Sequence, residues 1–299
     1  MAKHPLDEAF PRRAGGDWRA PGGQAVYASP RRPVTGLTTK GTVRRRRPYR
    51  PRRDKGRFKL TPRDEWGMRY VAEMYVLRFN QLLDMFALWH YQEDLKRYEK
   101  QLAEYQRHPQ GSPPVPPTLQ PQAKSKVLSI IHRWVEHGYA ITDQPHDADP
   151  VWLTLTAKAM RELSLPYEAG FPPKEDLKGS GHIFACTQVR FKLMRTKTYG
   201  KYVWWSERAI KANWEEGRSG LAYDQLPDAE LYLDGVAQIC VEAEITRKSD
   251  ARYDSILANL VDRYPQVLYC VREPLYPVLE AARARLPAER QQQVEILTL

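Results

Sequence analysis

Two acidic segments of this chain combine residue types that can do metal chemistry together. Asp228 lies in a β-like run over 226–233, and Glu242-Ala243-Glu244 lies in a second run over 238–245. The two are joined through Asp234-Gly235, a dipeptide typical of tight hairpin turns. Side chains alternate along a strand, so Glu242 and Glu244 share one face. An aspartate and a glutamate on neighbouring strands can share a hard cation; Mg²⁺ or Mn²⁺ suits carboxylate oxygens and keeps several waters. Such an ion activates a bound water and stabilises charge on a scissile phosphate. Asp228, Glu242 and Glu244 are therefore the catalytic candidates, with Asp228 and Glu242 as metal ligands. Lys248, four residues beyond Glu244, carries an amine that can migrate into the site. Glu207, near the end of the preceding β-like run, and His182, on the helix before it, are further candidates for the same pocket. The plainer alternative is a polar strand face whose acids pair with Arg247, Lys248 or Arg252.

The elements that must hold these residues follow from periodicity and end signals. From Gly181 the pattern predicts a helix over 182–195, a strand over 201–208 and then the hairpin. Ser249 or Asp250 can cap the next helix, which runs to about Tyr264 with Ile256, Leu257, Leu260 and Val261 facing a sheet. A buried strand over 267–271, a helix over 275–286 and a last strand over 294–299 complete the order α-β-β-β-α-β-α-β.

The preceding segment reads differently. Thr61-Pro62-Arg63-Asp64 is a helix start: Thr61 caps, Pro62 suits the first helical position and Asp64 complements the dipole. Asn80 is the expected cap of a second helix, reaching about Gln106. Six prolines between Pro109 and Pro121 exclude helix there. A third helix, Lys124 to His137, is ended by Gly138. Two short β runs over 139–142 and 151–155 flank a polar segment, and Thr156 caps a helix over 157–163. This is the order of a winged helix, in which the third helix enters the major groove. Lys124, Lys126, Ser129 and Arg133 lie on its polar side and are the expected DNA contacts. Asp143, Asp147 and Asp149 make the wing tip acidic, which argues against the wing itself lying on phosphates. The alternative is a helical protein-interaction module.

The charge is unevenly distributed. Residues 1–57 hold 16 Lys/Arg against four acids, a net +12, so the rest of a chain of total charge +11 carries −1. The arm is rich in Gly, Pro and Arg and has too few aliphatic residues to offset the entropy of ordering. Arg44, Arg45, Arg46, Arg47, Arg50, Arg52 and Arg53 can pair with phosphate oxygens and give salt-dependent, sequence-independent affinity. Such arms also reach into minor grooves; a solvated tail, or one that binds RNA or anionic lipid, is the alternative. No apolar run approaches the ~20 residues that span a bilayer, and the first residues have no apolar segment of signal-peptide type. The expectation is a cytoplasmic protein without membrane insertion. Cys186, Cys240 and Cys270 show no metal-ligand spacing, and the last two lie in apolar runs of core type.

Pro227-Asp228 followed by Glu242-Ala243-Glu244 resembles the PD-(D/E)XK nuclease signature, with glutamate standing where that signature has lysine. Some restriction enzymes resemble this Glu-x-Glu variant. More widely, the chain resembles the replication-relaxation family of plasmid and integrative-element proteins. The matching segments are Leu60-Thr61-Pro62-Arg63-Asp64-Glu65, Trp152-Leu153-Thr154-Leu155-Thr156, Trp205-Ser206-Glu207-Arg208, Leu226-Pro227-Asp228-Ala229 and Val241 to Ser249. The resemblance implies double-stranded DNA as ligand, a role in plasmid replication, relaxation or transfer, and a relaxase, replication or conjugation protein as partner.

The expected architecture is α+β: an arm (1–57), a winged helix-turn-helix domain (58–165) with a Pro-rich insert (108–123), a linker (166–180) and a restriction-endonuclease-like domain (181–299). Two functions compete. One is a metal-dependent DNA endonuclease or nickase acting through metal-bound hydroxide. The other is a non-catalytic origin-binding or mobilisation accessory protein on a nuclease-like scaffold, since fold does not imply function. A tyrosine relaxase, with Tyr199, Tyr202 or Tyr253 as nucleophile, lacks the His-rich metal triad such enzymes use, because the seven histidines are scattered.

Overall fold

The computed structural model describes residues 59–143, 151–170, 180–213 and 226–299. The Arg-rich arm, the wing tip 144–150 with Asp147 and Asp149, and most of the expected linker lie outside these residues. The described chain is a mixed α+β structure with two sheets. Among the described residues no helix is long and apolar enough to cross a membrane.

The first part runs α1 (Pro62–Glu73), β1 (Leu77–Arg78), α2 (Phe79–Arg107), α3 (Lys124–Glu136), β2 (Ala140–Asp143), β3 (Trp152–Leu155) and α4 (Ala157–Glu162). The end signals act as chemistry requires. Thr61 accepts from the Asp64 amide and Asp64 returns the bond to the Thr61 amide, a reciprocal capping box. Gly138 adopts φ 71°, and the bonds from Gly138 N–H to Val135 and from Tyr139 N–H to Trp134 close α3 in the Schellman manner. The three strands form an antiparallel sheet in the order β1-β3-β2. The two-residue β1 escaped the sequence pattern because no alternation is visible over so short a stretch. It also displaces the expected cap of α2. That helix starts at Phe79, one residue before Asn80, with the Gln81 side chain accepting from the Arg78 amide at 3.2 Å.

The second part runs α5 (Ser180–Met194), β4 (Val203–Ser206), α6 (Glu207–Ala212), β5 (Ala229–Leu233), β6 (Val236–Glu244), α7 (Asp250–Val261), β7 (Gln266–Val271), α8 (Tyr276–Ala284), α9 (Ala288–Gln291) and β8 (Val294–Thr298). Its sheet has the order β4-β5-β6-β7-β8, antiparallel across β4, β5 and β6 and parallel across β6, β7 and β8. Asp234 and Gly235, at φ 53° and 79°, make the two-residue β5–β6 turn, in which both central residues need positive φ.

Alternation on β6 divides the core. Ile239, Val241 and Ala243 face α5 with Cys186 and Val189, whereas Cys240 faces Tyr253 and Leu257 of α7. The first of these clusters continues without a break into Met68, Leu82, Phe86 and Trp134 of the first part. Helix α5 is the seam. Phe191 stacks on Tyr70 of α1 at 5.4 Å, Arg190 lies 3.8 Å over the Tyr70 ring and pairs with Glu73 at 2.7 Å, and Gln81 donates to the Phe184 carbonyl at 3.1 Å.

One expected strand is corrected. The run over 201–208 holds only β4, because Ser206 accepts from the Ala209 amide and turns the chain into α6. Glu207 is thereby the first residue of a helix rather than the end of a strand. Arg208 turns inward, where it donates to the Ala72 carbonyl at 2.6 Å and to the Glu168 carbonyl.

Candidate functional site

The acidic residues singled out from the sequence converge at one end of the larger sheet. Ala229 pairs with Val241 across the β5–β6 ladder, so Asp228, just before β5, arrives beside the end of β6 that carries Glu242 and Glu244. Two bonds fix it there. Its Oδ2 accepts from the Ala243 amide at 2.7 Å, and its carbonyl accepts from the Glu207 amide at 2.8 Å. Helix α6 thus brings Glu207 to the same place, through a turn that strand periodicity could not reveal. Glu207 itself pairs with Lys211 at 2.6 Å.

Glu242 is the electrostatic centre of the group. Burial pushes its carboxyl well above the usual carboxylate range; Asp228, Glu244 and Glu207 push the same way, and Lys248 alone opposes them. Its cross-strand neighbour on β7 is Tyr269, 1 % exposed, whose hydroxyl has no hydrogen-bond partner among the described residues.

Glu244 is 3 % exposed and held on both oxygens. One accepts from the Thr246 amide at 3.2 Å and from the Thr246 hydroxyl at 3.4 Å; the other receives the Lys248 ammonium. Lys248 therefore joins the acidic cluster by way of the loop after β6. Its own amide is fixed by the Tyr253 hydroxyl at 3.0 Å.

His182, on the first turn of α5, contacts Asp228 through Nε2 at 2.7 Å. That bond is the main cause of a raised imidazole pKa; burial acts against it, and the charges of Asp228, Glu207 and Glu244 add to the rise. Cys186 lies one turn further along the same helix, its Sγ 3.6 Å from His182 Nε2. No other cysteine stands at metal-ligand spacing from this residue. The available signal was the His-x-x-x-Cys spacing, which places both side chains on one face of a helix. Cys240 and Cys270 are core residues, 0 % and 1 % exposed.

Two of the three tyrosines considered as nucleophiles are otherwise engaged. Tyr253 is fully buried and bonded to the loop before α7, and Tyr199 donates to Glu295 at 2.7 Å.

On α3, Lys124, Lys126 and Ser129 are exposed. Arg133 behaves differently. Its guanidinium lies 2.6 Å from both oxygens of Asp64, which is completely buried and also accepts from Trp134 Nε1 at 3.0 Å. The residue expected to read DNA ties α3 to α1. Arg44, Arg45, Arg46, Arg47, Arg50, Arg52 and Arg53 lie outside the described residues. In comparisons with known proteins, no family model, curated protein or solved structure matches the chain.

Proposed function

We propose that this chain is a DNA-binding protein of a plasmid or integrative element, acting in replication, relaxation or transfer, with a Mg²⁺- or Mn²⁺-dependent phosphodiesterase site at Asp228, Glu242, Glu244 and Lys248. The observation that carries the reading is the gathering of Asp228, Glu242, Glu244 and Glu207 at the end of two antiparallel strands and beside Lys248. Like charges gathered in a half-buried pocket repel one another, and a divalent cation relieves that repulsion. Asp228 and Glu242 would hold the ion, which supplies an activated water and offsets charge on the scissile phosphate. Glu244 orients Lys248, whose ammonium can stabilise the developing negative charge.

The architecture supports the same assignment. The order of α1, β1, α2, α3, β2 and β3 is that of a winged helix, with exposed Lys124, Lys126 and Ser129 on the helix that would enter the major groove. The five-stranded mixed sheet flanked by α5 and α7 agrees with a restriction-endonuclease-like domain. The arm supplies the electrostatic anchor. Deleting residues 1–57 is expected to weaken binding to duplex DNA and to reduce the slope of log affinity against log salt, since each lost phosphate contact removes ~0.9 from it. A slope unchanged in filter-binding or anisotropy titrations would remove the arm from the interface.

The test of function is incubation of the protein with supercoiled plasmid and Mg²⁺ or Mn²⁺. Nicking that needs the ion is the expected result. A second reading rests on one feature: His182 contacts Asp228 and Lys248 pairs with Glu244, so two of the acids already have partners within the chain. It makes the protein a non-catalytic origin-binding or mobilisation accessory that recruits a relaxase, replication or conjugation protein. Tight DNA binding without cleavage in either ion would favour it.

Metal affinity should depend on pH in a defined direction. A proton and a metal ion compete for Glu242, whose folded pKa is raised. Affinity is therefore weak below the raised value, climbs as pH rises through it and levels off above. Calorimetry in buffers of different ionisation enthalpy should detect the released proton, and Glu242→Gln should flatten the profile. The metal-free chain follows the opposite slope: its stability falls as pH rises from the ordinary glutamate value to the raised one, because the unfolded state loses that proton first.

A further inference from the structure

We infer that His182, Cys186 and Asp228 form a binding site for a thiophilic transition-metal ion, Zn²⁺ in its chemistry, which shares Asp228 with the all-oxygen site proposed above and differs from it in adding nitrogen and sulfur ligands. One imidazole nitrogen, one thiol sulfur and one carboxylate oxygen lie within 4.8 Å of one another. The 3.6 Å between His182 Nε2 and Cys186 Sγ is close to the ~3.6 Å edge that Zn–N and Zn–S bonds of ~2.0 and ~2.3 Å subtend at a tetrahedral centre. The 2.7 Å between Nε2 and Asp228 Oδ1 is a hydrogen-bond length, and an ion between the two would open it.

The support for each ligand is already built. His182 and Cys186 share a face of α5 one turn apart. Asp228 is held from behind by the Ala243 amide on Oδ2, which leaves Oδ1 turned to the imidazole. Such outer partners are what orient metal ligands. Cys186 and Asp228 are largely buried, whereas the His182 side chain is 44 % exposed, so the fourth position opens toward solvent on that side. Three protein ligands and an open position are the pattern of a reactive rather than a closed structural zinc site. Thiolate and imidazole select Zn²⁺ over Mg²⁺, which prefers oxygen. On binding, the Cys186 thiol releases its proton to solvent and His182 coordinates as the Nδ1–H tautomer. All three cysteines are buried, and Cys186 shares a core cluster with Cys270; what sets Cys186 apart is its place beside His182 and Asp228 at the edge of that core.

Co²⁺ is the probe, because it replaces Zn²⁺ and reports its ligands by absorption. Titration of the full chain should give one equivalent with intense tetrahedral d–d bands and a sulfur-to-cobalt charge-transfer band, both removed by Zn²⁺. Cys186→Ser should abolish the charge-transfer band and weaken affinity at least tenfold. Glu242→Gln should leave the spectrum intact even where it stops plasmid nicking, so the failure of either site is distinguishable from failure of the other. Weak octahedral bands with no thiolate transition in the parent protein would overturn the assignment, and so would a charge-transfer band that survives in a folded Cys186→Ser variant.

Discussion

Asp228→Ala and Glu242→Gln are each expected to reduce metal-dependent nicking of supercoiled DNA by more than roughly 100-fold, since loss of even the outer partners of metal ligands typically removes 10- to 100-fold. The two substitutions should differ in their side effects. Asp228 also accepts from the Ala243 amide and contacts His182, so its removal leaves a strand amide without an acceptor and loosens α5 from β5. Glu242 has repulsive neighbours and a raised pKa, so the neutral amide is expected to be neutral or stabilising in the metal-free chain. Thermal unfolding alongside plasmid assays separates loss of the fold from loss of the ion. DNA affinity measured without metal should be nearly unchanged in Glu242→Gln. Nicking at parental rates by a folded Glu242→Gln protein would exclude this carboxylate from the chemistry.

Asp64→Ala is expected to destabilise the protein by about 3 kcal/mol, the effect of removing one partner from a buried ion pair together with the acceptor of a buried indole N–H. The carboxylate is completely buried and receives Arg133, Trp134 Nε1 and both the amide and the hydroxyl of Thr61. Burial alone would raise its pKa, but the bonds from Thr61 and Trp134 and the charge of Arg133 more than offset this, and the net shift is downward. The direction of the pH dependence follows. A depressed carboxylate pKa contributes stability that is fully present above the ordinary aspartate value of about 3.9 and lost as pH falls through the folded value. The Asp64→Ala variant should lose that part of the acid dependence, and Asp64→Asn, which keeps an acceptor for Trp134, should be less damaging than Asp64→Ala. Chemical denaturation at neutral pH and at pH 3 checks both. Equal stability of parent and Asp64→Ala at neutral pH would show that Arg133 and Trp134 find other partners.

Local end signals settled much of the fold before any tertiary contact was considered. Thr61, Thr156 and Ser249 cap helices because a short side-chain oxygen competes well for a free amide at a helix start. Gly138 ends α3, and Asp234-Gly235 makes the β5–β6 turn, because positive φ is readily adopted there. The pairing of Asp228 with the Glu242-Ala243-Glu244 segment was legible only in part: the two-residue turn alone would set Asp228 opposite Val241, and a one-residue register shift between Leu231 and Tyr232, which no turn signal encodes, brings it opposite Glu242.

What tertiary structure alone decided concerns residues whose partners are far away in sequence. Ser206 is the last residue of β4 and also caps α6, and that helix start carries Glu207 to Asp228 by a main-chain bond. Arg133 looked like a groove-facing cation, because helical periodicity gives a polar side but not what covers it; the buried carboxylate of Asp64 covers it. Cys186 and His182 share a helix face in the sequence, but only the approach of β5 to α5 brings Asp228 to them. Sequence spacing determines neighbours within an element through geometry a few residues long. Which elements meet is decided by the burial of apolar faces such as those of α5 and β6, and charged groups brought along by that packing acquire partners that no local pattern encodes.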